Sequence, residues 1–97
     1  MRVHWTPESS NELDGMLAYI AAQDPSAAAL VANRVIRAEK LISSFPRGAK
    51  LDGGSGTYDR FIPRTRIVLT YEVTDDMIVI VGAWHTSRDP ADKPQLY

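Results

Sequence analysis

The sequence contains no cysteine, which excludes disulfide bonds and metal sites built on thiolates. It has no apolar run of about eighteen residues, so it predicts no membrane-spanning helix, and its first residues lack the apolar stretch of a signal peptide. The only two histidines, His4 and His85, are too few and too widely spaced to form a recognisable metal motif. From these absences we expect a soluble, cytoplasmic chain that needs no metal ion or cofactor.

The composition that is present is that of an ordinary globular protein. The chain has 97 residues, of which 44% are hydrophobic and 24% charged. A chain of this length buries about two-thirds of its unfolded surface, which is enough for one hydrophobic core and too little for two. We therefore expect residues 1–97 to form a single domain.

The net charge of −1 conceals a basic middle third. Residues 34–66 carry eight basic and three acidic side chains, whereas the segments before and after them each have a net charge of −3. The basic side chains are those of Arg34, Arg37, Lys40, Arg47, Lys50, Arg60, Arg64 and Arg66. Such a zone is either an ordinary solvated surface or a patch that faces an acidic partner, such as nucleic acid or an acidic protein. The charge pattern alone leaves both interpretations open.

Two helices are predicted in the first half of the chain. Thr6 followed by Pro7 is typical of a helix start, and this helix is expected to end near Ala22; Asp24 and Pro25 repeat the same start chemistry. The apolar stripe of the first helix consists of Leu13, Met16, Leu17 and Ile20. That of the second consists of Leu30, Val31, Val35, Ala38, Leu41, Ile42 and Phe45, and Pro46 ends it. The short connection predicts an antiparallel helical hairpin.

The remaining segments predict strands. Residues 2–5, 58–62, 66–73 and 78–84 have strand patterns, whereas the glycine-rich residues 47–56 are expected to form an irregular loop. In the third strand Ile67, Leu69, Tyr71 and Val73 share one face, and Arg66, Val68, Thr70 and Glu72 share the other, which we expect to be partly open. The pattern predicts a two-layer α+β fold of order β-α-α-β-β-β, with the hairpin packed on a small, mainly antiparallel sheet.

The last predicted strand delivers His85 to an edge of the sheet, three residues before Arg88. Together with the arginines of the basic zone, this imidazole offers the groups that metal-free RNA cleavage requires, namely an acid or base and cations for the phosphate. The structural alternative is that His85 bonds a backbone carbonyl and Arg88 pairs with a nearby Asp. Residues 53–56 are followed by neither a Lys-Ser/Thr pair nor a helix, so they indicate a plain loop rather than a phosphate cradle.

An ordered set of short motifs resembles the RelE/ParE superfamily, the small toxins of bacterial type II toxin–antitoxin modules. The motifs are Trp5-Thr6-Pro7-Glu8, Leu17-Ala18-Tyr19-Ile20, Asp24-Pro25-Ser26-Ala27-Ala28, residues 41–48, Gly56-Thr57-Tyr58-Asp59-Arg60, residues 66–73 and residues 84–90. The resemblance covers nearly the whole chain. It implies the hairpin-on-sheet fold and a cognate antitoxin that binds the toxin.

Members of this superfamily that resemble RelE cut mRNA in the ribosomal A site, and members that resemble ParE poison DNA gyrase. The long helical hairpin and the His-x-x-Arg-Asp-Pro ending look closer to the ParE branch, and a net charge of −1 is unusual for a protein that enters the ribosome. The resemblance thus implies a gyrase poison without catalytic residues, neutralised by a ParD-like antitoxin. Two alternatives stay open: an endoribonuclease acting on mRNA at the ribosome through His85, Arg64 and Arg88, and a degenerate module that binds antitoxin without being toxic.

We expect two binding surfaces on this chain. The target-binding surface is predicted to consist of Arg60, Arg64, Arg66, His85 and Arg88. The antitoxin is predicted to lay apolar helical anchors into a groove between the hairpin and the adjoining sheet edge. The side chains expected to line that groove are Leu13, Leu17, Ile20, Val31 and Val35.

Overall fold

The structure is a computed structural model that describes residues 1–86. It confirms the α+β class, with a helical hairpin on a mainly antiparallel sheet. The elements in chain order are β1 (Arg2–Trp5), α1 (Pro7–Gln23), α2 (Pro25–Ser44), β2 (Lys50–Asp52), β3 (Thr57–Phe61), β4 (Ile67–Val73) and β5 (Met77–His85).

The predicted caps define both helices. Thr6 Oγ1 accepts a hydrogen bond from the Ser9 N–H at 3.1 Å and begins α1. Asp24 Oδ1 accepts hydrogen bonds from the N–H groups of Ser26 and Ala27, each at 3.1 Å, and begins α2. Asp24 is also the residue that ends α1, because its N–H donates to the Ile20 carbonyl at 2.8 Å. One residue therefore joins the two helices, which confirms the predicted hairpin.

The sheet has the order β1-β5-β4-β3-β2, with β1 parallel to β5 and the other pairs antiparallel. Strand β2 lies inside the segment predicted to be an irregular loop, so that prediction was wrong for Lys50–Asp52, and the sheet has one strand more than expected. The glycine-rich residues 53–56 form the turn of the β2–β3 hairpin. Gly56 adopts φ 73°, a conformation that glycine reaches without strain.

The hydrophobic core lies between α2 and one face of the sheet. Ile67, Leu69 and Tyr71 of β4 are at most 2% exposed, as the period-two pattern predicted. They pack in one cluster with Val35, Ala38 and Ile42 of α2 and with Ile78, Ile80 and Ala83 of β5. Neither α1 nor α2 combines the length and the hydropathy that a membrane span requires.

The second face of β4 is less open than the sequence predicts. Val68 and Thr70 are 7% and 1% exposed. Val68 lies directly between Phe61 of β3 and Trp84 of β5, and side chains of opposed residues share a face. Thr70 Oγ1 donates a hydrogen bond to Asp59 Oδ1 at 2.8 Å. These cross-strand neighbours explain a burial that the alternation within β4 does not reveal.

Helix α1 is fixed to β5 by hydrogen bonds at its first turns. The buried Ser9 donates from Oγ to the Ile80 carbonyl at 2.8 Å, and the Thr6 N–H donates to the same oxygen at 3.0 Å. One turn further, Glu12 Oε1 accepts a hydrogen bond from the Ala83 N–H at 3.2 Å. These contacts hold α1 over β5, and Glu12 and His85 of these two elements line a cleft between the hairpin and the sheet.

Candidate functional site

The structure divides the predicted target-binding residues between two clefts. Arg60 and Arg64 line one cleft, whereas Arg66 and His85 line the other. Residues 62–66, the turn between β3 and β4, separate the two, because Pro63 and Arg64 border the first and Thr65 and Arg66 the second. Arg88 lies outside the described residues.

The first cleft, which we call the arginine pocket, has a volume of about 360 Å³. Its lining residues are Arg34, Arg37, Ala38, Leu41, Arg60, Pro63 and Arg64. Arg34 and Arg37 were not among the residues predicted to bind a target. Their spacing of three places both on one face of α2, and this spacing within the basic zone is the sequence signal that could have identified them.

The turn that carries Arg64 is held against α2. Arg34 Nη1 donates a hydrogen bond to the Arg64 carbonyl oxygen at 3.2 Å. Arg64 itself has φ 61°, the left-handed conformation that residues other than glycine adopt at an energetic cost. This strained residue and its contact with Arg34 position the turn at the rim of the arginine pocket.

Among the described side chains of residues 1–86, no ion pair balances the positive charge of the arginine pocket. No described carboxylate pairs with any of its four arginines. Arg60 Nε is buried and donates no hydrogen bond. Buried charged donors are normally paired, so this arrangement is expected to attract an anion.

Two stacked tyrosines, Tyr58 and Tyr71, lie near Arg60. The rings of Tyr58 and Tyr71 stack with centroids 5.4 Å apart at an interplanar angle of 14°. Tyr71 is fully buried, and its hydroxyl donates to the Pro46 carbonyl at 2.7 Å. Burial raises the pKa of Tyr71 above 10.0, while the positive charge of Arg60 acts in the opposite direction. The phenol therefore stays protonated at neutral pH and is not available as a general base.

The raised pKa of Tyr71 makes stability dependent on alkaline pH. A tyrosine whose pKa is higher in the folded state stabilises the fold below pH 10.0, and this contribution is lost as the pH rises through the folded pKa. Tyr71→Phe should cost about 1 kcal/mol near neutral pH, because the hydrogen bond to Pro46 is lost. The difference between variant and parent should then shrink above pH 10.0.

Urea denaturation from neutral to strongly alkaline pH measures this difference. Tyr19→Phe is the matched control, because Tyr19 is 70% exposed and should leave the pH profile of the parent unchanged. Parallel profiles for the parent and Tyr71→Phe across the whole range would show that the phenol of Tyr71 is not held protonated by burial.

The second cleft, which we call the hairpin cleft, has a volume of about 750 Å³ and lies between the helical hairpin and the sheet. Its apolar lining residues are Met16, Tyr19, Ile20, Val31 and Ile67. Its polar lining residues are Asn11, Glu12, Thr65, Arg66 and His85. The cleft thus joins an apolar wall from the hairpin to a basic rim from the sheet.

The residues predicted to bind antitoxin fall into two groups. Ile20 and Val31 line the hairpin cleft. Leu13 is half-buried against the core, Leu17 is half-buried on α1, and Val35 is 5% exposed within the core. Tyr19, which was not among the predicted residues, also lines this cleft and is 70% exposed, more than any of the five.

The groups of the nuclease alternative do not converge in the described part of the chain. His85 is half-buried, lies opposite Ile67 in the β4–β5 pair and borders the hairpin cleft, whereas Arg64 borders the arginine pocket. The Thr86 N–H donates to the Arg66 carbonyl at 2.7 Å, which keeps Arg66 beside the end of β5. Among residues 1–86, no three side chains of the His, Asp or Glu type come together in a way that would hold a metal ion.

Comparison with known proteins identifies a matching family and a solved structure of similar fold. A family model described as "ParE toxin of type II toxin-antitoxin system, parDE" matches residues 3–90. A chain of the solved structure "Chromosomal ParDE TA system from P. aeruginosa" superposes with a TM-score of 0.78 at 17% sequence identity, over 90% of this chain and 97% of that one. At that identity the similarity shows the fold alone. A search of curated proteins finds no match.

Proposed function

The chain belongs to the ParE toxin family of type II toxin–antitoxin systems, and from this membership we propose that it inhibits bacterial growth in the cytoplasm by poisoning DNA gyrase. In this proposal a cognate, ParD-like antitoxin neutralises it. The single observation that carries the proposal is the family match over residues 3–90. The geometry of the two clefts adds support for a toxin that acts by binding.

Metal-free RNA cleavage is supported less well by the same geometry. It requires a base, an acid and phosphate-binding cations around one reacting bond. His85 and Arg64 border different clefts, and the buried Tyr71 keeps its proton. A net charge of −1 also contrasts with the strong cationic footprint expected of a protein that enters the ribosome. These observations favour a toxin that binds and poisons gyrase over one that cleaves RNA.

The proposed target-binding surface straddles the turn of residues 62–66. Arg60 and Arg64 are presented on one side of this turn, and Arg66 and His85 on the other. Arg88 completes the proposed set. Guanidiniums suit this role because their planar forks recognise phosphate and carboxylate groups of a large acidic assembly, such as gyrase bound to DNA.

We place the antitoxin in the hairpin cleft. An amphipathic helix lays its apolar face into grooves of this kind, and Met16, Ile20 and Val31 supply the complementary wall. Arg66 and His85 share the cleft. An antitoxin seated there would therefore cover part of the proposed target-binding surface, which accounts for neutralisation by direct occlusion.

Replacing Tyr19 tests this placement. Tyr19 is 70% exposed in the cleft, so Tyr19→Ala should keep the fold and weaken binding of the cognate antitoxin by about 2 kcal/mol, or about thirtyfold. Phe45→Ala is the matched control, because Phe45 is 64% exposed and lies outside the cleft. Its effect should stay below about threefold, and titration calorimetry gives both affinities. Equal losses for the two variants would place the antitoxin elsewhere.

The function itself is tested by inducing the chain alone in a bacterial host and following DNA, RNA and protein synthesis at early times. A gyrase poison should stop DNA synthesis and raise the DNA-damage response before translation falls. Early collapse of translation with cleaved mRNA would contradict the proposal and assign the RelE-like activity. Unimpaired growth despite folded, soluble protein would also contradict it and indicate a module that binds antitoxin without toxicity.

A further inference from the structure

The arginine pocket concentrates positive charge in a chain whose net charge is −1. Arg34 and Arg37 approach from α2, Arg60 from β3, and Arg64 from the following turn. Like charges gathered in a cleft of about 360 Å³ repel one another unless an opposite charge enters. Among the described side chains of residues 1–86, no carboxylate forms an ion pair with any of the four.

Arg60 supplies the second, independent observation. Its Nε atom is buried and has no acceptor, although a buried donor on a charged group is normally satisfied. The Tyr71 hydroxyl donates to the Pro46 carbonyl, and the hydrogen bond between the Tyr71 and Arg60 side chains still leaves Nε without an acceptor. An anion that enters the pocket would offset the positive charge of Arg60, whose side chain lines it.

The pocket is also held in shape before any ligand arrives. The hydrogen bond from Arg34 Nη1 to the Arg64 carbonyl joins its two walls, and Arg64 is kept at φ 61°. Strained backbone of this kind is found at ligand-binding positions, where the surrounding contacts over-determine it. Preorganised walls lower the conformational cost of binding.

The chemistry of four guanidiniums selects among anions. Each guanidinium presents a planar fork that matches two oxygens of a phosphate or a carboxylate. A carboxylate has two oxygens and one charge and can satisfy only part of such a cluster. A phosphate group offers more acceptor oxygens than a carboxylate does, in a tetrahedral arrangement. Two linked phosphate groups carry more negative charge than one. The volume lies at the small end of ligand pockets, which suits one or two phosphate groups rather than a large apolar ligand.

We propose that the arginine pocket is a phosphate-binding site, in which the guanidiniums of Arg34, Arg37, Arg60 and Arg64 hold the phosphate oxygens. The phosphate comes either from the backbone of DNA or from a free nucleoside polyphosphate. The DNA source rests on the proposed function, because gyrase would present DNA to the toxin. The site itself does not depend on gyrase.

Side-chain NMR of the purified full chain, labelled with ¹⁵N-arginine, tests the proposal. The probes are pyrophosphate, ATP without divalent metal and a short DNA duplex, with citrate as the carboxylate control. The Arg60 Nε–H resonance should shift saturably with a phosphate probe, and Arg37→Gln should weaken that binding at least about tenfold. Arg2→Gln is the charge-matched control, because Arg2 lies on β1 at the opposite edge of the sheet, and it should change the affinity less than about twofold.

The possible results distinguish DNA from a free nucleotide as the source of the phosphate, and they distinguish the phosphate site from the proposed gyrase poisoning. Stronger binding of the duplex than of ATP assigns the DNA backbone, and the reverse assigns a nucleotide. An unmoved Arg60 resonance with every phosphate probe, equal losses for Arg37→Gln and Arg2→Gln, or citrate binding as tightly as pyrophosphate would overturn the phosphate site. Gyrase poisoning by a chain that binds no phosphate would leave the proposed function standing. Phosphate binding by a chain that does not affect gyrase would leave this site standing alone.

Discussion

Replacing Arg64 by Asn is expected to weaken binding to the toxic target by about thirtyfold and to abolish growth inhibition. Arg64 is exposed on the turn between the two clefts, at the centre of the proposed target-binding surface. Arginines at such central positions commonly contribute about 2 kcal/mol or more to an interface. Asn is the preferred replacement because it removes the guanidinium and adopts the left-handed φ of 61° found at this position more readily than Ala does.

Two further variants serve as comparisons: one separates the positive charge of Arg64 from its planar fork, and the other removes a distant arginine as a control. Arg64→Lys keeps the charge without the planar fork and should give intermediate toxicity. Arg2→Asn removes an arginine from the far edge of the sheet and should leave growth inhibition unchanged. Toxicity is measured as growth after induction at matched expression, with binding to antitoxin as the check on folding. If Arg64→Asn remains fully toxic, the target contacts another part of the chain, such as the outer face of the hairpin.

Replacing Ile42 by Ala is expected to destabilise the fold by about 2–5 kcal/mol. Ile42 is fully buried on α2 and belongs to the cluster that joins the hairpin to the sheet. Its truncation removes apolar contacts and leaves a cavity under the helix. Because the free energy of unfolding of such a domain is about 5–15 kcal/mol, this single change would remove a large fraction of it.

The chain provides a matched control on the same helix. Ile36 is 50% exposed, so Ile36→Ala makes the same chemical change outside the core and should cost less than about 1 kcal/mol. Urea denaturation followed by circular dichroism gives both values. Equal costs for the two variants would mean that α2 does not pack on the sheet as described.

The helices were predictable because their ends are encoded locally. Thr6, Asp24 and Pro46 act through their own side chains or rings on the adjacent backbone, so the predicted and observed helix bounds agree closely. Strand β2 was missed because three residues are too few to show alternation, and its pairing comes from β3. The burial of Val68 likewise depends on Phe61 and Trp84, which are distant in sequence.

The candidate site was predictable in its charge but not in its arrangement. The basic middle third contains all four arginines of the arginine pocket, yet Arg34 and Arg37 belong to a helix that was interpreted mainly from its apolar face. Arg64 and Arg66 are two residues apart and were expected to share a surface. They border different clefts because the intervening chain is a turn with a left-handed residue, where the period of two of a strand does not apply.

The most direct measurement of the central claim uses purified gyrase, negatively supercoiled plasmid DNA, ATP and this chain. The reaction is stopped with detergent and protease so that any trapped double-strand break appears as linear DNA. The account predicts that linear DNA accumulates with increasing toxin, that the cognate antitoxin prevents it, and that Arg64→Asn fails to produce it. If the chain arrests growth in cells but in this reaction leaves supercoiling unchanged and produces no linear DNA, gyrase is not its target.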